Sequence, residues 1–196
     1  MQFPAQSNLG NIGVIVSART GSTRLPGKAL LPLAGVPLII FLLRRLKPWV
    51  GSGRLVMATT DLSSDDVLAK TVHDEGVTVY RGDAQNLIAR HVGVADKFNF
   101  DTMVRITGDC PFIDVEVLNF CLGMCLKSDP FDLATTKGHF PVGIDLEVFS
   151  MAALMSISNQ HDLNDNHREH LTLYFYDHPE KYRIQKLFPE PKWRGD

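Results

Sequence analysis

Short runs of β-branched apolar residues alternate along this chain with segments of helical periodicity. Residues 12–16 form such a run, bounded by glycines and a polar loop, as expected of a strand buried on both faces of a parallel sheet. Pro37 opens a helical segment to about Leu46, with Arg44, Arg45 and Lys47 near its end, where cations suit the helix dipole. Residues 55–58 read as a second strand. Ser63 or Ser64 starts a second helix, placing Asp65 and Asp66 in its first turn. The alternation continues with a strand at 77–80, a helix at 84–98 and a strand at 103–106. Asp114 is placed to cap a helix running through Leu126. After Pro130 the order changes: strand-like pieces at 133–136 and 144–149, helices near 151–157 and 167–176, and a last strand near 182–187.

Repeated strand–helix units predict an α/β fold in which a mostly parallel central sheet is covered by helices on both faces, a three-layer α/β/α arrangement. With no internal repeat or Gly/Ser linker, residues 1–196 are expected to form a single domain. Ligands of such sheets sit beyond the carboxyl ends of the strands. Residues 17–28, 59–61 and 107–114 should therefore share one rim.

Composition narrows the function. The 196 residues are 44% apolar and 21% charged with a net charge of −2, so no global basic field points to nucleic acid or an anionic membrane. Any anion site must be local. The most apolar window, residues 37–43, is too short to span a bilayer, and the first eleven residues lack the pattern of a secretory leader. Cys110, Cys121 and Cys125 form no CxxC pair, and Cys121 and Cys125 read as small apolar residues on one helix face. A soluble, cytoplasmic protein is expected.

The loop after the first strand, residues 17–28, carries the strongest chemical signal. It holds Gly21, Gly27, three hydroxyl residues besides Ser17, and the cations Arg19, Arg24 and Lys28. Glycines let backbone N–H groups approach an anion, and guanidinium groups grip phosphate oxygens. The loop is not a Walker A motif: Gly21 and Gly27 enclose five residues rather than four, and Ala29 follows Lys28. Nor is there a G-x-G-x-x-G fingerprint.

Ala18-Arg19 and Gly21-Ser22-Thr23-Arg24-Leu25-Pro26-Gly27-Lys28 resemble the signature of the sugar cytidylyltransferase family, in particular the branch named after the spore-coat polysaccharide biosynthesis protein F. Related branches make CMP-linked keto-deoxy-octulosonate and CMP-sialic acids. The resemblance extends from about Ile12 to about Leu187. It takes in Ala58-Thr59-Thr60-Asp61, Tyr80-Arg81-Gly82, Val104-Arg105-Ile106-Thr107-Gly108-Asp109-Cys110-Pro111, Gly143-Ile144-Asp145-Leu146-Glu147-Val148-Phe149 and Arg168-Glu169-His170. It implies a nucleotide-diphospho-sugar transferase fold, dependence on Mg²⁺, and transfer of CMP from CTP to an acidic or modified sugar with release of pyrophosphate. Arg19, Arg24 and Lys28 would hold the triphosphate, with Gly21 and Ser22 in the same loop and Ala18 under the base. Lys28, Arg19 and Asp109 would be the catalytic set. Partners would be CTP and a sugar acid, with no nucleic acid or membrane, and a homodimer is open because related enzymes are often dimers.

Asp109, at the end of the fourth strand, suits Mg²⁺, which takes oxygen ligands shared with substrate phosphates; the resemblance gives its counterpart that role. Family members continue into a further strand carrying another acidic contact, whereas this sequence stops at Trp193-Arg194-Gly195-Asp196. The expectation is a domain truncated at its C-terminus, or Asp145 as the second acidic ligand. Asp145 and Glu147 alternate on the expected strand and so share a face, which solvent alone could also explain. The resemblance implies that Arg168, Glu169 and His170 lie on a helix facing the sugar pocket, with an ordinary salt-bridged helix start as the alternative. Arg90 reads as a helix-surface residue, with a nucleotide or sugar contact as the alternative. His167 and His170 lack a third ligand for zinc. Thr60 and Asp61 either touch the nucleotide or only cap their loop. A protein using another nucleotide, or a nucleotide-binding scaffold without turnover, stays open beside the cytidylyltransferase reading.

Overall fold

The computed structural model describes Phe3 and residues 6–22, 24–51 and 53–190. The sequence Trp193-Arg194-Gly195-Asp196, on which the expected truncation rests, lies outside the described residues, as does Thr23.

The chain opens with β1 (Gln6–Ser7) and β2 (Gly10–Ser17), followed by the small hairpin β3 (Pro32–Leu33) and β4 (Val36–Pro37). Then come α1 (Leu38–Val50), β5 (Leu55–Thr60), α2 (Asp66–Asp74), β6 (Thr78–Gly82), α3 (Leu87–Phe98), β7 (Thr102–Thr107) and α4 (Val115–Cys125). The last part holds β8 (Leu133–Thr135), β9 (Glu147–Ser150), α5 (Met151–Ser158), α6 (Asp165–Glu169), α7 (Leu173–Asp177) and β10 (Ile184–Lys186). The central sheet runs β10-β8-β9-β7-β2-β5-β6, with β1 paired to β2. Its pairs are parallel except around β9, antiparallel to both neighbours, and at β1.

Alternation along the strands feeds two cores. Val14 and Val16 of β2, Met57 of β5 and Val104 of β7 point to the layer of α1, α2 and α4, among Leu42, Leu68 and Leu118. Ile15, Val56 and Met103 point the other way, to α3, α5 and α7, among Ile88, Leu154 and Tyr174. Period-2 side chains therefore make the three-layer arrangement expected from the sequence. No helix among the described residues is long and apolar enough to cross a membrane.

Several boundaries differ from expectation for local reasons. Helix α1 runs past Leu46 and through Pro48, because Trp49 and Val50 are buried and the Trp49 indole donates to Asn119 Oδ1 of α4 at 2.7 Å. Helix α3 starts at Leu87 rather than at residue 84. Asn86 caps it by accepting from Ala89 N, while Asp83 accepts from the N–H groups of Gln85 and Asn86. Asp114 caps α4 as expected. Residues 167–176 hold two short helices instead of one. The strand expected at 144–149 begins only at Glu147, so Asp145 precedes it, and Glu147 is buried rather than on a solvated face.

Two contacts fix the rim. Gly108 N donates to Ser17 O at 2.8 Å, and a Cβ on Gly108 would lie 2.9 Å from that oxygen and 2.8 Å from Ala18 Cβ. Asp65, read from the sequence as a first-turn carboxylate, is buried, at 1% exposure. Its Oδ1 accepts from Thr20 N at 2.7 Å and Thr20 Oγ1 at 2.6 Å, and its Oδ2 accepts from Thr60 Oγ1. Burial pushes this carboxyl upward, but the Thr20 and Thr60 bonds outweigh it and the pKa falls below the ordinary value.

Gly108→Ala is expected to destabilise by about 1–3 kcal/mol through overpacking against backbone, read from chemical denaturation. Asp65→Ala is expected to cost roughly 1–3 kcal/mol by leaving buried hydroxyls without their acceptor. Because the native pKa of Asp65 is depressed, its contribution is present above the unfolded-state value and is lost as pH falls through the native one. The stability gap between wild type and Asp65→Asn should therefore close on acidification, and a gap constant with pH would contradict this.

Candidate active site

The loop after β2 turns back on itself at Gly27, whose left-handed φ of 70° suits glycine. Gly27 N donates to Thr20 O at 2.9 Å, closing the loop, and Lys28 then starts a one-turn 3₁₀ helix, residues Lys28–Leu30. Asp109 sits two residues beyond β7, the parallel neighbour of β2, with Ser17 in register with Thr107. The Lys28 ammonium and Asp109 Oδ2 are in direct contact as an ion pair. Burial alone would raise the Asp109 pKa. Hydrogen bonds from Lys28 and Thr107, with the Lys28 charge, bring it below the ordinary value, so the carboxylate is ionised at neutral pH.

These groups border a cleft of about 280 Å³. Six cationic side chains line it (Arg19, Arg24, Lys28, Arg90, Arg105 and Arg168) against two carboxylates, Asp109 and Glu169. Ala18, Gly21, Ser22 and His170 also reach it. Arg19 Nη2 meets Glu169 Oε1 at 3.1 Å, joining the loop to the end of α6. Arg168 lines the cleft while pairing with Asp165 of its own helix at 3.2 Å.

An adjoining recess of about 390 Å³ shares Arg105, Thr107 and His170 with the cleft and adds Asp145, Glu147, Lys137 and Tyr176. Arg105 and Glu147 are register partners across β7 and β9, and their side chains pair at 2.6 Å. Glu147 Oε1 also accepts from Thr172 Oγ1 at 2.6 Å. Asp145 accepts from Gly143 N at 3.0 Å and borders the recess rather than the cleft that holds Asp109. The two acids named from the sequence as metal ligands are thus distributed over two adjoining cavities.

Thr60 and Asp61 are not among the cleft residues. The Thr60 hydroxyl is buried and engaged by Asp65, and Asp61 is exposed with its N–H on Gly82 O. Of the two readings left open by the sequence, nucleotide contact or loop cap, these bonds favour the second. Arg90 is corrected toward the cleft. It is 4% exposed, not a surface residue, and its guanidinium donates to Asp83 O at 2.9 and 2.6 Å while facing the cleft. Burial, then the nearby Arg19 charge, lower its pKa, though a guanidinium keeps its proton. Gln85 and Leu87 are further lining residues that motif spacing did not single out, and Ser17 and Arg105, within segments the sequence did mark, line the cleft as well.

His167 uses both ring nitrogens internally, accepting from Asn164 N and bonding Asp177 at 3.0 Å. Among the described residues no group of three or more His, Cys, Asp or Glu could hold a metal ion. Cys121 and Cys125 are buried free thiols pushed up to about 12 by desolvation, as suits apolar packing.

The sequence pattern of the family described as cytidylyltransferase matches residues 13–192. The chain is 34% identical over 194 residues to the spore coat polysaccharide biosynthesis protein SpsF of Bacillus subtilis, covering 95% of this chain and 79% of that protein. It is 32% identical over 125 residues to a 3-deoxy-manno-octulosonate cytidylyltransferase of Chlorobium chlorochromatii, covering 64% of this chain and 50% of the relative. A solved cytidylyltransferase from Leptospira borgpetersenii superposes with a TM-score of 0.85 at 32% identity, covering 91% of this chain and 76% of that one. A loop of cations facing an aspartate across adjacent parallel strands, on a fold shared with that structure, agrees with the sequence match: the chain belongs to the cytidylyltransferase family.

Proposed function

We propose that this protein transfers CMP from CTP to an acidic or modified sugar, releasing pyrophosphate, in the synthesis of a surface polysaccharide. The observation that carries the reading is the charge of the cleft, six cations against two carboxylates in a chain of net charge −2. A triphosphate is a ligand whose charge matches such a local excess. The sugar class and the polysaccharide role rest on the relatives, one named for spore coat polysaccharide and one for an octulosonate sugar acid.

Nucleotidyl transfer needs an in-line nucleophile, neutralised charge on the α-phosphate and a stabilised leaving group. A sugar hydroxyl oxygen attacks the α-phosphorus, its bond to the bridging oxygen of pyrophosphate breaks, and the hydroxyl proton leaves to solvent or a nearby base. Lys28, Arg19 and Arg24 hold the triphosphate and then the departing pyrophosphate. The neighbouring recess seats the acceptor near Asp145 and His170, and Arg168 and Glu169 line the adjoining cleft. Arg168 suits a sugar carboxylate.

Mg²⁺ fits this donor set. The ion binds through one or two carboxylates plus substrate phosphates, without a full protein cage, and Asp109 offers an ionised, exposed carboxylate beside Lys28. Asp109 would hold the ion, and Asp145 is the second acid within the adjoining cavity. When bound, the ion would neutralise phosphate charge. The cytoplasm, where CTP is made, is the compartment in which this reaction would run.

Incubation with each of the four ribonucleoside triphosphates, Mg²⁺ and a panel of sugar acids should release pyrophosphate with CTP. Lys28→Ala and Asp109→Asn are each expected to lower kcat/KM by about 100-fold or more. CTP binding without pyrophosphate release for any sugar would count against turnover, and release with another triphosphate would correct the base.

A further inference from the structure

Ser17 ends β2 and lines the cleft, and its Oγ lies 3.0 Å from Nε2 of His91, a side chain of α3 with no exposure to solvent. The direction of this hydrogen bond follows from the other side of the ring. His91 Nδ1 is 2.8 Å from the carbonyl oxygen of Leu87. A carbonyl only accepts, so Nδ1 carries the hydrogen, and in a neutral ring Nε2 is then bare. Burial, with the Arg105 charge added, keeps the ring neutral by holding its pKa down to about 3. The single hydrogen of the Ser17 hydroxyl therefore goes to His91, and toward the cleft Ser17 has only lone pairs to offer.

That sets Ser17 apart in a wall whose charged side chains are mostly donors. Phosphate oxygens accept and gain nothing from it. Ala18, next in sequence, and Gln85 and Leu87 are uncharged residues lining the same cleft, and such groups suit a nucleoside better than a triphosphate. We infer that Ser17, with its proton fixed by His91, is a specificity-determining acceptor that reads a hydrogen-bond donor of the nucleoside, either the exocyclic amino group of cytosine or a ribose hydroxyl. Cytosine presents an amino group where uracil presents a carbonyl oxygen, so an obligate acceptor favours the first and repels the second. The inference rests on the nucleotidyl-transfer reading and names a determinant within it.

Titration calorimetry of wild type, Ser17→Ala and Ser17→Thr with CTP, UTP and the CTP analogues lacking the 2′ or the 3′ hydroxyl separates the cases. Ser17→Ala should weaken CTP binding about tenfold, and Ser17→Thr, which keeps the hydroxyl, should not. If the amino group is read, Ser17→Ala leaves UTP binding unchanged or improved. If a ribose hydroxyl is read, CTP and UTP weaken together and one deoxy analogue is indifferent to the substitution. Equal weakening of CTP, UTP and both deoxy analogues, or no weakening at all, would overturn the inference. Imidazole ¹⁵N shifts test the tautomer independently, since an Nε2–H ring at His91 would also overturn it. Wild-type protein that fails to bind CTP would instead remove the CMP-transfer reading underneath.

Discussion

The pairing of β2 with β7 is the constraint on which the site depends. Their register sets Ser17 beside Thr107, so the loop that follows one strand and the turn that follows the other emerge at the same rim. Lys28 and Asp109 meet there as an ion pair. The pair is partly exposed, and such pairs contribute little to stability, about 0–1 kcal/mol. Its significance is positional. The two groups hold each other at one rim, and a triphosphate there would compete for the ammonium and leave the aspartate free for a cation.

The cost of that arrangement is concentrated charge. Arg90 is buried close enough to Arg19 for the second charge to lower its pKa. The carbonyl oxygens of Asp83 and Ala84 receive its N–H groups, which holds the guanidinium at the wall without a carboxylate partner to cancel it. Arg105 is treated in the opposite way, matched by Glu147 across the strands. One cation is thus left available in the cleft, while the other braces the wall between cleft and recess.

The strands were legible because β-branched runs bounded by glycine have few alternatives, and the Asp114 cap because its side chain acts on its own helix. The loop cations and Asp109 were legible as a cluster, since chemistry and chain order agreed. What escaped detection depended on contacts distant in sequence. Arg90 looked like a surface residue until the phase of α3 turned it toward the sheet. Asp65 read only as a first-turn carboxylate, and Thr60 as either a nucleotide contact or a loop cap, until the fold joined Asp65 to both Thr60 and Thr20. His91 gave no motif at all, because its partner Ser17 lies 74 residues away. Helix α1 passed Pro48 because burial of Trp49 outweighed the local preference.

A crystal structure with CTP and Mg²⁺ bound puts the central claim to its most direct test. The account predicts the triphosphate lying between the loop of Arg19, Arg24 and Lys28 and the carboxylate of Asp109, with the nucleoside against Ser17. A nucleotide seated outside this cleft, or one whose phosphates point away from Lys28, would contradict it.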